Sequence, residues 1–232
     1  MDFDLIGQTF GKLIGGAGTT IALIVPALVI GIILAMTLAV MRMSGNGILS
    51  RLARSYVFVF RGTPLLVQIF LIYFGLGQFS DLWKELGIWD WPMREAFPCA
   101  VIAFGLNTAA YTSEIIRGGL LAVPFGQIEA ARACGMSRAT VFRRITVPIA
   151  IRQALPAYGN EVILMVKASS LASIITIMEI TGIAKQINSQ TFAPFEVFTA
   201  AGILYLAINF VVAQGIRALE WKLTPHMRRR QA

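Results

Sequence analysis

Two groups of residues in this chain have types and spacings that suit chemistry. The first is a polar segment with Glu129-Ala130-Ala131, then Gly135 after three residues, Ile145 after nine more, and Val147-Pro148 after one. Small side chains let a helix approach a partner closely, and a glycine in the left-handed region ends a helix and turns the chain back. That is docking chemistry. The second group is a set of polar side chains inside apolar stretches: Arg61, Glu114, Asn160, Glu161 and Lys167. Charge within hydrocarbon costs roughly 2.5–3.5 kcal/mol per residue on insertion scales, so such groups face one another or a water-filled path. Arg61 and Glu114 reach comparable depth if the stretch holding Arg61 enters from the cytoplasm, which suits a structural ion pair. Glu161 and Lys167 are six residues apart, so on one helix they point to different azimuths and do not pair. Glu161 suits contact with a cationic group in such a path; packing, or contact with a partner subunit, is the alternative. Lys167 suits a carboxylate in that path or a partner's acid.

Bond-making chemistry has no matching constellation. Gly15-Gly16-Ala17-Gly18-Thr19 lacks the lysine and spacing of a phosphate loop. The single histidine, His226, follows Pro225 in the tail with no cysteine or acid at ligand spacing. Cys99 and Cys134 fall near opposite ends of one apolar stretch, so no disulfide is expected between them. Asn107 and Thr108 suit hydrogen bonds across helices.

The elements that must position these groups are membrane spans. The chain is 56% hydrophobic and 14% charged with a mean hydropathy of +0.71, too apolar for a soluble domain. A span needs about 20 apolar residues, and five stretches qualify: 19–41, 55–80, 97–116, 154–178 and 197–217. The net charge of +8 is concentrated in a few loops and argues against nucleic acid as a partner. Arg42, Arg51 and Arg54 follow the first span, and Arg117, Arg132, Arg138, Arg143, Arg144 and Arg152 surround the connection between the third and fourth. Asp81, Asp90, Glu179 and Glu196 fall on the opposite side. The bias places the N-terminus outside and the C-terminus inside. Residues 1–18 then read as a periplasmic segment, 19–220 as the transmembrane domain with a cytoplasmic loop over about 120–150, and 221–232 as a basic cytoplasmic tail. Trp83, Trp89 and Trp91 suit an outer interfacial belt, and Arg228–Arg230 suit anionic lipid headgroups. Within the loop, residues 125–135 read as a helix ended by Gly135. Ser137 reads as the N-cap of a second helix, Arg138 to Thr146, stopped by Pro148.

The polar segment resembles the EAA coupling loop of ABC importer membrane subunits, departing where Val147 stands in place of the commoner leucine. Arg61-Gly62-Thr63-Pro64-Leu65-Leu66-Val67-Gln68, Glu114-Ile115-Ile116-Arg117-Gly118-Gly119 and Asn160-Glu161 followed by Lys167 resemble the polar amino-acid uptake family. The run Val162 to Leu171, with Ala168 where many members carry an acid, is similar to M-type subunits of the histidine, octopine and nopaline branch. The resemblance implies an all-α, five-span type I ABC importer permease with a coupling hairpin between spans three and four. It implies ATP-driven import of basic amino acids or opines by alternating access, in the bacterial inner membrane. Other polar amino acids such as glutamine are the alternative, with a passive channel or a membrane anchor behind them. Glu129, Ala130, Ala131, Gly135, Ile145 and Pro148 would dock on the ATPase, while Asn160, Glu161 and Lys167 would line the solute path. The implied partners are two ATPase subunits, a periplasmic solute-binding protein and a second permease subunit, a Q-type relative or a second copy. No cofactor is expected on this chain; ATP and Mg2+ would sit on the ATPase.

Overall fold

A computed structural model of the chain describes residues 3–87 and 94–223, and no strand occurs among them. Helix α1 (Phe3–Met43) runs unbroken for 41 residues and therefore begins well before residue 19. Asp4, Gln8 and Lys12 dilute the hydropathy of its first turns. Ile6, Phe10, Leu13 and Ala17 nevertheless keep an apolar stripe at helical spacing, and that stripe packs into a core cluster. The expected N-terminal segment is thus the start of the first helix.

Helix α2 (Gly47–Gly62) is capped by Asn46, whose Oδ1 accepts from the N–H groups of Ile48 and Leu49 at 2.9 and 3.3 Å. The span expected over 55–80 is not one rod. Pro64 disfavours helical geometry in the residue before it, and Thr63 is extended at φ −114°, ψ 144°. The chain restarts as α3 (Leu65–Phe70), runs on through a π turn at Leu71–Gly75, and is bent 105° from α2. A short helix α4 (Ser80–Glu85) follows, with the Trp83 indole donating to the Leu76 carbonyl at 2.8 Å. Trp89 and Trp91 lie outside the described residues.

Helix α5 (Ala96–Leu121) is the centre of the bundle and packs most extensively against α1. Small residues permit this. A Cβ on Gly31 of α1 would run into the Thr108 methyl, and one on Gly105 would sit 3.1 Å from Ile30. The main core gathers Leu23, Ala27, Ile69, Phe104, Met165 and Ile175 from four successive segments of chain.

After α6 (Phe125–Ala133) and α7 (Arg138–Val141), a π turn at Phe142–Thr146 passes directly into α8 (Val147–Ala168), which tightens into a 3-10 segment at Ser169–Ile175. Arg138 to Ile175 is therefore one continuous helix, and Pro148 does not stop it. Proline in an α-helix lacks a donor and crowds the carbonyl four residues back. Here the Val147 N–H bonds five residues back, to Phe142, widening the turn just before the ring. Thr176 ends the helix in the left-handed region at φ 68°. Helix α9 (Ile180–Thr191) departs at 50° and buries Ile180, Ala184 and Ile187 against α10 (Pro194–Leu223). Residues 221–223 remain in α10; His226 and Arg228–Arg230 lie outside the described residues.

Among the described residues, three helices (α1, α5, α10) are long and apolar enough to cross a membrane unbroken, and counting each of the two bent pairs as one span makes five.

Candidate functional site

The polar hairpin forms as its spacing predicts. Gly135 adopts φ +78°, and its N–H donates to the Arg132 carbonyl at 3.0 Å while the Met136 N–H reaches the Ala131 carbonyl at 3.2 Å. These two bonds are the Schellman pattern, which satisfies the carbonyls left free at the end of α6. Ser137 then caps α7, its Oγ accepting from the Thr140 N–H at 3.3 Å. Between the two arms lies a groove of about 520 Å³ whose walls include Ala130, Ala131, Ile145 and Pro148. Four of the six motif residues thus converge on one surface. Glu129 is exposed beside it, and Gly135 supplies the bend. Arg144 and Arg152 stand on the rim.

A second polar centre lies where α2 breaks. Broken helices leave backbone carbonyls that lipid cannot solvate. Gln68 answers this: its Nε2 donates to the carbonyls of Phe60 and Thr63 at 2.9 and 3.1 Å and to Thr63 Oγ1 at 2.8 Å. Asn107 of α5 donates in turn to Gln68 Oε1 at 3.0 Å and to the Phe60 carbonyl at 3.4 Å. Tyr56 adds a bond to the Leu106 carbonyl at 2.8 Å. Leu106 and Asn107 are close to the midpoint of the 26-residue α5, so the break sits near half-depth.

The expected ion pair is not formed. Glu114 binds Arg42 at 2.9 Å and Arg117 at 2.7 Å, each through a different carboxylate oxygen. Arg61 instead places its guanidinium 5.1 Å from the centroid of the Tyr111 ring. Tyr111 lies three residues, about one turn, before Glu114 on α5, and Arg61 is held at that ring rather than at the carboxylate. Arg42, at the end of α1, and Arg117, one turn along α5, reach the carboxylate first.

The three expected path residues separate. Glu161 is buried at 6% exposure and accepts from Thr108 Oγ1 at 2.8 Å. Asn160 and Lys167 are exposed on the other side of α8, where seven residues, about two turns, bring them onto one stripe with Leu164. Asn107 and Thr108 both bond across helices, as their types suggested.

Two polar groups escaped the sequence reading. Gln68 could have been found as an amide within an apolar run beside proline. Glu179 read as an outer acid but is fully buried. It caps α9 through the Gly182 N–H at 2.8 Å and accepts from the Tyr205 hydroxyl at 2.6 Å. Its signal was the apolar pair Ile177-Met178 before it and the glycine three after it. Among the described residues, no group of three or more His, Cys, Asp or Glu could hold a metal ion.

Residues 17–224 match the family described as the binding-protein-dependent transport system inner membrane component. The chain belongs to that family. The permease is 56% identical over 230 residues to the nopaline transport system permease protein NocM of Agrobacterium fabrum, covering 99% of this chain and 95% of that one. It is 54% identical over 231 residues to the octopine transport system permease protein OccM of Rhizobium meliloti, covering 99% and 94%. The histidine/lysine/arginine/ornithine transport system permease protein HisM of Salmonella typhimurium is 40% identical over 219 residues, covering 94% and 93%. Among solved structures, an amino acid ABC transporter crystallised with histidines matches with a TM-score of 0.84 at 36% identity, covering 96% of this chain and 99% of that one. The permease therefore has the type I ABC importer fold and is a multi-pass inner-membrane transport component. It works with a solute-binding protein and with an ATPase on a separate chain.

Proposed function

We propose that this chain is the M-type permease subunit of an importer for basic amino acids or arginine-derived opines, paired with a related but different permease subunit and two ATPase copies. The observation that carries this reading is the full-length similarity at 54–56% to permeases of nopaline and octopine systems. Charge supports it. The exposed stripe of α8 offers Asn160 and Lys167, and Ala168 supplies no acid next to Lys167. An opine carries extra carboxylates beside its guanidinium, so an exposed cation on the path is suited to it.

The α6–α7 hairpin docks on the ATPase, which holds ATP and Mg2+, and the N-terminus faces the periplasm. The arginine-rimmed groove supports the docking, and the arginine bias of the loops supports the orientation. Glu161 acts on selectivity through its field from behind the helix surface rather than by direct contact, since Thr108 and the core enclose it.

The test is uptake into ATP-loaded proteoliposomes holding this chain, its partner permease, the ATPase and the binding protein. Radiolabelled octopine, nopaline or arginine should accumulate and glutamine should not. Accumulation of glutamine alone would overturn the solute class.

A further inference from the structure

Arg61 is the one charged residue of the α2–α3 pair that reaches the break at half-depth, and three observations bear on what it does there. It occupies the last turn of α2, and its side chain is exposed. Among the described residues it forms no ion pair with the two carboxylates whose charge it feels: Glu114 pairs with two other guanidinium groups, and the buried Glu161 accepts from the Thr108 hydroxyl. The carbonyls at the break are also taken, since Phe60 and Thr63 accept from Gln68 and Asn107.

The helix C-terminus and the Tyr111 ring both favour a cation at this place. Neither uses its N–H donors. A guanidinium carries five donors in a planar fork that matches a carboxylate with two parallel bonds. Exposed to hydrocarbon, such a group would be costly, so an exposed arginine at this depth faces water or a polar ligand. Discontinuous helices near the bilayer midplane are where transporters assemble solute sites.

We propose that Arg61 is a carboxylate-binding residue of the solute path, taking the α-carboxylate of an amino acid, or one carboxylate of an opine, through paired N–H···O bonds. This rests on the solute class proposed above. The fixed geometry of the break, held by Gln68 and Asn107, positions the guanidinium before the solute arrives, and Tyr111 keeps its plane from swinging toward Glu114.

Equilibrium binding to the purified permease–ATPase complex in nanodiscs tests this, with radiolabelled arginine and agmatine, its decarboxylated counterpart, as probes. The wild type should bind arginine at least about tenfold more tightly than agmatine. Arg61→Gln should weaken arginine binding by about ten- to hundredfold and leave agmatine within about twofold, so that the preference disappears. Arg61→Lys, which keeps charge but loses the fork, should fall between. Equal affinity of the wild type for both probes would overturn the proposal without any variant. So would a retained preference in Arg61→Gln. Loss of the second permease subunit from both variants on co-purification would assign Arg61 to the subunit interface and likewise overturn it. A wild-type complex that binds none of arginine, histidine or octopine defeats the solute class itself, a result separate from any property of Arg61.

Discussion

The hydroxyl of Thr108 and the carboxylate of Glu161, 53 positions apart in sequence, meet at 2.8 Å between α5 and α8. The methyl of the same threonine fills the space opened by Gly31 on α1. One side chain thus joins three helices, with its polar arm on the carboxylate and its apolar arm against glycine.

Thr108→Val keeps the shape and removes the donor, leaving the Glu161 carboxylate short of a buried hydrogen bond. The expected loss is about 1–3 kcal/mol, read as a lowered melting temperature of the detergent-solubilised complex. Glu161→Gln retains an acceptor for Thr108 and should assemble normally, yet import arginine more slowly than the wild type. Normal import by this variant would remove Glu161 from selectivity.

Glu114 neutralises two arginines at once, with side-chain exposure of 16% for Glu114 and Arg42 and 31% for Arg117. Glu114→Gln strands both cations near the inner end of α5. It should cost on the order of 3 kcal/mol and exceed the effect of Arg117→Gln, which leaves the Arg42 pair in place. Denaturation of the two variants side by side checks the order.

Gly119 allows α5 to touch α8: an added Cβ would lie 2.6 Å from the Ala150 carbonyl oxygen. Gly119→Ala forces backbone apart and should destabilise by about 1–3 kcal/mol. Gly15→Ala meets nothing within 4 Å and should be neutral or slightly stabilising, since glycine weakens a helix interior by about 1 kcal/mol. Equal melting temperatures for the two variants would contradict this packing.

Cys134 is exposed at the end of α6, whereas Cys99 is buried. A membrane-impermeant maleimide should therefore label the native protein at Cys134 in inverted vesicles and not in intact cells. Bound ATPase should slow that labelling. Rapid labelling of intact cells would reverse the orientation.

A Cβ added at Gly135 would meet nothing within 4 Å, but its φ is +78°. Gly135→Asn, which tolerates the left-handed region, should preserve solute-stimulated ATPase activity in the assembled complex. Gly135→Val should lose most of it, because a β-branched residue there is strained and the two arms of the hairpin would splay. Equal activity in the two variants would separate the bend from coupling.

Features fixed by local chemistry were legible in the sequence. Gly135 and Ser137 act through their own backbone and their nearest neighbours, so the hairpin's bend could be read residue by residue. Ala130, Ala131, Ile145 and Pro148 converge because the bend brings its two arms together. The misreadings share another cause. Pro148 and Pro64 look alike in sequence, yet one continues a helix through a π turn and the other breaks it. The difference lies in whether a wider turn precedes the ring or an extended residue does. Arg61 and Glu114 stood at matching depth, but the angle of the break and the reach of Arg42 from another helix decided the pairing. The early start of α1 was hidden because hydropathy averages over a window, while burial depends on one face.

The unbroken helix from Arg138 to Ile175 has a mechanical consequence. At a rise of 1.5 Å per residue it is a shaft on the order of 55 Å long. A twist applied at the inner end arrives at the outer end with its phase preserved, apart from what the π turn at Phe142–Thr146 absorbs. Inserting one residue after Arg152 would rotate everything outward of it by about 100° while leaving the residues that line the hairpin's groove in place. The angular register between the two ends is as much a part of this protein's design as any side chain.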